Sequence, residues 1–170
     1  MIALLSLAFA HGVGVDQVVL QARGDTLLVV ATPRTSFFGF ADDDGDGLLT
    51  ADEVRRHKQA LNDAFDRDFV LETGQQGTPY LSDIIVPDAH SGHGDAAEHV
   101  RFLRRIRYPN TVRGLSLVDR LVAPEAHAIR VSTDLQGERD DRVVHGADEL
   151  RIELGELYRT EPSPLRAGWG

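Results

Sequence analysis

Residues 14–31 read Gly14-Val-Asp-Gln-Val-Val-Leu-Gln-Ala-Arg-Gly-Asp-Thr-Leu-Leu-Val-Val-Ala31. Val15, Val18, Val19 and Leu20 mark one strand up to Gln21, and Thr26 to Ala31 marks a second. Arg23-Gly24-Asp25 between them is a turn signal, so the stretch predicts a β-hairpin. Outward from it, β-branched and apolar runs recur at Phe69-Val-Leu-Glu-Thr73, Tyr80–Val86, His99–Tyr108, Gly114–Val122, His127–Thr133, Arg142–Val144 and Leu150–Leu157. A spacing of roughly ten residues, punctuated by Pro109-Asn110, Pro124, Gly137 and Gly146, predicts a mainly β, β-sandwich-like domain.

At 170 residues and 42% hydrophobic content, the chain is sized for one domain with a real core. It holds no Cys, which removes disulfides, thiolate metal sites and a cysteine nucleophile together. The net charge of -9 argues against nucleic acid as a partner, since a basic face is needed to displace counterions from phosphate. Asp42, Asp43, Asp44, Asp46, Asp52 and Glu53 carry six of those charges within twelve residues. The opposite bias falls on Arg101, Arg104, Arg105, Arg107, Arg113 and Arg120, which read as a solvated strand face whose stems cover apolar surface.

The acidic cluster is ordered. Asp42-Asp-Asp-Gly-Asp-Gly-Leu-Leu-Thr-Ala-Asp-Glu53 fits the EF-hand calcium loop at every constrained position. Calcium takes six to eight oxygens, so alternate residues of a tight loop must aim oxygen inward. The expected ligands are the carboxylates of Asp42, Asp44 and Asp46, the Leu48 carbonyl, Thr50 directly or through water, and both oxygens of Glu53. Gly47 supplies the turn, Leu49 points into the core, and Asp43 points outward. Thr50 and Glu53 also form a capping-box pair that starts an exiting helix, with Val54, Leu61 and Phe65 on one face. The entering segment, Ser36–Ala41, is short and anchored by Phe37, Phe38 and Phe40. The insert therefore spans about residues 36–66. A single loop without a paired copy points to a structural site rather than to a calmodulin-type sensor.

Residues 1–10 form a short apolar run ending Ala8-Phe-Ala10, a signal-peptide-like segment that predicts export to the periplasm or the cell exterior. No segment approaches the ~20 apolar residues of a membrane span. Residues 11–160 then make one β-rich domain, and 161–170 read as a tail or linker. The Ala10-His11 junction, the Gly24-Asp25 turn, the Asp-rich loop ahead of a helix, Tyr108-Pro109, Gly114-Leu-Ser-Leu-Val118 and His127-Ala-Ile-Arg-Val131 resemble the exported N-terminal region of bacterial HupE/UreJ-type membrane proteins. That resemblance implies a soluble β-domain of a membrane system, which in that family is followed by a membrane-spanning part. It does not carry over nickel or cobalt transport, because the residues that would perform it are absent from these 170.

A second metal chemistry is also open. His90, His93 and His99 could gather round copper, nickel or zinc, and His11, as a mature N-terminus, would offer an amine and an imidazole. No Gly-x-Ser-x-Gly elbow, His-Glu-x-x-His pair, Walker loop or dinucleotide fingerprint is present, so the sequence predicts a binding module and not an enzyme.

Overall fold

The structure, a computed structural model, describes residues 16–86, 96–108, 112–121, 127–135, 137–146 and 149–157. It is mainly β. β1 (Asp16–Arg23) and β2 (Thr26–Thr32) form the expected hairpin, with Arg23 opposite Thr26 and Gly24 at φ +60° in the two-residue turn. That left-handed backbone suits glycine, which has no Cβ to clash. Along both strands every second side chain is buried: Val18, Leu20 and Ala22 on one, Leu27, Val29 and Ala31 on the other. The alternation follows from the two-residue period of a pleated strand.

A 3-10 segment, Thr35–Ala41, leads to the acidic loop, β3 (Leu49–Thr50), α1 (Ala51–Arg56) and α2 (Lys58–Asp68). The exiting helix is thus two helices meeting at His57, whose φ/ψ of -99°/11° is not helical. Phe38 in the entering segment is fully buried, but Phe40 is 52% exposed and does not anchor it. The segment is kinked at Phe38, whose φ/ψ of -117°/33° is not helical, so the three-residue repeat that would align Phe37 with Phe40 does not carry through it.

The remaining strands are β4 (Phe69–Glu72), β5 (Thr78–Ile85), β6 (Ala96–Ala97), β7 (Arg101–Arg107), β8 (Val112–Asp119), β9 (His127–Leu135), β10 (Glu138–Gly146) and β11 (Leu150–Leu157). They complete a six-stranded sheet, β10-β9-β1-β2-β7-β5, and a three-stranded sheet, β11-β8-β4. Pairing is antiparallel except between β1 and β9, where Val18 lies beside Val131 in a parallel register. One apolar cluster draws on both sheets and on α2: Leu20, Leu27, Phe102 and Ile129 meet Leu115, Leu117, Ile152, Leu61 and Phe65. Phe65 stacks on Phe102 at 4.1 Å between ring centroids, with Phe69 behind it at 4.7 Å and Phe38 on the far side of Phe102 at 5.4 Å. This aromatic column fixes the helices that follow the acidic loop against the larger sheet.

Candidate metal centre on the acidic loop

The loop is shaped by its own carboxylates. Asp42 accepts hydrogen bonds from the amides of Gly45 (2.7 Å) and Gly47 (2.8 Å), Asp44 from Asp46 (3.2 Å), and Asp46 from Leu48 (2.8 Å). Gly45 and Gly47, at φ +75° and +84°, provide the left-handed steps that let these amides face inward. The result brings one oxygen from each of Asp42, Asp44 and Asp46 within 4.8 Å of the others. Oxygens that far apart can flank a single calcium, whose bonds to oxygen run about 2.3–2.6 Å. Among the described residues this trio is the cluster of His, Cys, Asp and Glu side chains fit to hold a metal.

Electrostatics at the trio reflect crowding. For Asp44 the Asp46 amide favours the charged form, yet partial desolvation, the charges of Asp46 and Glu53 and the contact with Asp42 outweigh it and raise its pKa above the usual carboxylate value. Asp42 moves down instead, because the Gly47 amide and then, against some desolvation, the Gly45 amide stabilise its anion. The two carboxylates move in opposite directions because amides dominate at Asp42, whereas desolvation and neighbouring negative charge together dominate at Asp44.

The other expected ligands stand apart from the trio. Glu53 is 3% exposed and is held at the helix start: Oε2 accepts from the Thr50 amide (2.8 Å) and hydroxyl (2.7 Å), and Oε1 from the Asp43 amide (2.9 Å). Thr50 Oγ1 in turn accepts from the Glu53 amide at 3.2 Å, completing the capping box. The Thr50 amide, then its hydroxyl, hold the Glu53 carboxyl below its ordinary pKa despite burial, with Asp43 and Arg56 adding to the effect. A carboxylate has about four acceptor sites. Three of Glu53's are taken, so a bidentate grip on a metal requires the Thr50 hydroxyl to turn away. Leu48 and Thr50 sit between these two groups, where the chain runs into β3.

Two features of the site were not foreseen. Asp43 does not simply face solvent: Nε2 of His57 lies 2.8 Å from its Oδ1, and Arg56 pairs with its Oδ2. The loop is thereby tied to the kink between α1 and α2. Arg56-His57 at the end of the first helical turns was the available signal. Equally, Leu49 is fully buried and β3 pairs with β6 through Leu49–Ala97 and Thr50–Ala96, which gives this single loop the short ladder that a second loop would otherwise supply.

Of the histidines, His11, His90 and His93 lie outside the described residues. His99 is half-buried beside Asp16, Nε2 to Oδ1 3.7 Å, and forms an isolated bridge with Arg34. Desolvation, then the Arg34 charge, lower its pKa against the pull of Glu98, so it stands neutral at pH 7. No helix among the described residues is long and apolar enough to cross a membrane. No family model matches the chain, and no curated protein matches it either.

Proposed function

We propose that the chain is an exported calcium-binding β-sandwich domain in which a single EF-hand, spanning about residues 36–66, stabilises a binding module. The observation that carries this reading is the Asp42–Asp44–Asp46 trio, gathered within 4.8 Å on a loop whose own amides hold the carboxylates in place. All-oxygen, all-anionic donors on a compact turn favour a hard divalent cation over copper, nickel or zinc. Glu53 at the twelfth position and the Leu48 carbonyl at the seventh would complete the shell, with Thr50 at the ninth. Calcium there offsets the mutual repulsion of the loop and anchors α1, and through α1 and α2 the aromatic column of the core. In this reading the protein is a module and not an enzyme, exported to the periplasm or the cell exterior, and the resemblance to exported HupE/UreJ-type regions supports a protein or membrane-protein partner.

The test is calorimetric titration of chelator-treated protein with calcium and then with zinc. One calcium per chain, lost in Asp44→Asn, is the expected result. Absence of calcium binding, or tighter binding of zinc that survives Asp44→Asn, refutes the reading. Export is tested separately, by fusing residues 1–15 to a reporter that is active only outside the cytoplasm.

A further inference from the structure

A second site lies at the far end of α2. The end of that helix, β4, the connection 73–77 and β5 enclose a cleft of about 630 Å³, floored by Val29, Ile106 and Tyr108. This falls in the roughly 300–1,000 Å³ range of small-molecule sites. The approach of the 73–77 connection to the floor is close: a Cβ on Gly77 would sit 2.4 Å from Ile106 Cγ2 and 2.7 Å from Tyr108 Cε1. Only glycine allows the chain to turn there without displacing the floor.

The floor of the cleft is apolar and its walls carry Asp66, Thr73, Gln75, Gln76 and Ser82, but one lining side chain is a buried cation. Arg104 lines it and is 6% exposed, with its guanidinium carbon 5.1 Å from the Phe65 ring centre and 5.6 Å from that of Phe102. Nε donates to Asp66 (3.1 Å), Nη2 to Asn62 (2.8 Å) and Asp66 (3.0 Å), and Nη1 to the Leu103 carbonyl (3.1 Å). A guanidinium has five N–H groups, and these four bonds leave one Nη1 hydrogen without an acceptor among the described residues. A buried donor of that kind is worth an acceptor from outside.

We propose that this cleft binds a small, largely apolar molecule bearing one neutral hydrogen-bond acceptor, a cyclic or aromatic ketone, ester or amide, with its carbonyl oxygen on Arg104. The acceptor is neutral because the charge of Arg104 is already met by Asp66. A second anion would have to be desolvated beside that carboxylate, on a chain of net charge -9. The apolar body lies against Ile106 and the Tyr108 ring, with Phe69 and the edge of Phe65 beside it. The site does not depend on the calcium reading.

The naphthyl ketone prodan, titrated into the whole chain in calcium-containing buffer, tests it by fluorescence. Expected are a saturable blue shift and amide NMR shifts at Gly74 and Gly77 with none at Gly45 or Gly47. Ser82→Trp, which fills the mouth, abolishes the blue shift. Arg104→Lys, which keeps the charge but loses the fork, weakens binding about tenfold. The wild-type amide pattern decides the matter even where a variant does not fold. Non-saturable binding, shifts confined to other residues, or tighter binding of the anionic naphthalene probe ANS than of prodan each overturn the proposal.

Discussion

The helices that follow the acidic loop join two regions that treat charge in opposite ways. At one end Asp42, Asp44 and Asp46 lie within 4.8 Å of each other, held by the backbone amides of Gly45, Asp46, Gly47 and Leu48 and by one another. At the other end Arg104 is buried but meets Asp66, Asn62 and two aromatic faces. The second region has its counter-charge inside the chain, whereas in the calcium reading proposed above the first draws its counter-charge from solution. The difference teaches where folding should respond to ions: stability near the loop depends on what is dissolved, and stability near Arg104 depends on packing.

The most damaging way to break the comparison is through that packing. Phe102 is fully buried between Phe65 and Phe38, so Phe102→Ala should cost about 3–5 kcal/mol in urea unfolding. Asp66, 61% exposed, is the ionic counterpart, and Asp66→Asn should cost less than about 1 kcal/mol. Equal losses from the two variants would mean that the ion pair and not the aromatic column holds this end.

Calcium tests the other end. For an extracellular-type Kd of ~10⁻⁴ M in ~1 mM calcium, mass action adds about 1.4 kcal/mol and raises Tm by roughly 3–6 °C. Asp44→Asn should erase that gain, yet leave the chelated protein as stable as the parent or more so, because a group whose folded pKa is raised destabilises the fold when ionised. Acid should therefore help the chelated loop at Asp44 while it weakens Glu53, whose lowered pKa gives stability that is lost as pH falls through it. Differential scanning calorimetry with and without chelator distinguishes these cases, and a melting curve indifferent to calcium removes the contrast altogether.

A finer probe compares two carboxylates of the same loop. Glu53→Gln should reduce calcium affinity more than Asp43→Asn, while Gln can still reach back to the Thr50 amide and keep the helix start. Asp43→Asn has a separate signature, since it frees His57 and Arg56. Loss of helix order around residue 57 by NMR, with affinity reduced only slightly, is expected. If the two variants bind calcium equally poorly, the register that makes Asp42, Asp44 and Asp46 the ligands is wrong.

Much of this architecture was readable from local pattern. Alternation placed β1 and β2, Gly24 placed their turn, and the Thr50–Glu53 spacing placed the start of α1. Strands near 69, 80, 101, 114, 127 and 150 emerged within a few residues of where apolar runs stood. What local pattern could not carry was non-local: the parallel pairing of β1 with β9, and β6, two alanines that make a strand only because β3 lies beside them. Arg104 was misread with its Arg-rich neighbours as solvated. Period two places it on the inward face with Phe102 and Ile106, and the helix supplies Asp66 to receive it. The break at His57 was equally hidden, because the apolar face formed by Val54, Leu61 and Phe65 continues across it.

The smallest expected effect comes from an ion pair that belongs to neither region and so calibrates both. Arg23, 55% exposed, reaches across from the end of β1 to grip Asp134 with two bonds of 2.9 and 2.7 Å, and this contact above all lowers the Asp134 pKa to about 2. A lowered carboxylate pKa means stability fully present above the unfolded value of about 3.9 and lost as pH falls towards 2. Solvent around the Arg23 side chain screens the pair, so its contribution should be only about 0.5–1 kcal/mol. Arg23→Ala should bring Asp134 back towards the ordinary carboxylate range by NMR titration and flatten the acid limb of the stability curve between about pH 4 and 2. Should the variant instead lose as much stability at pH 7 as Phe102→Ala does, exposed ion pairs would matter in this fold far more than its packing implies, and the division between an ion-dependent end and a packing-dependent end would fall.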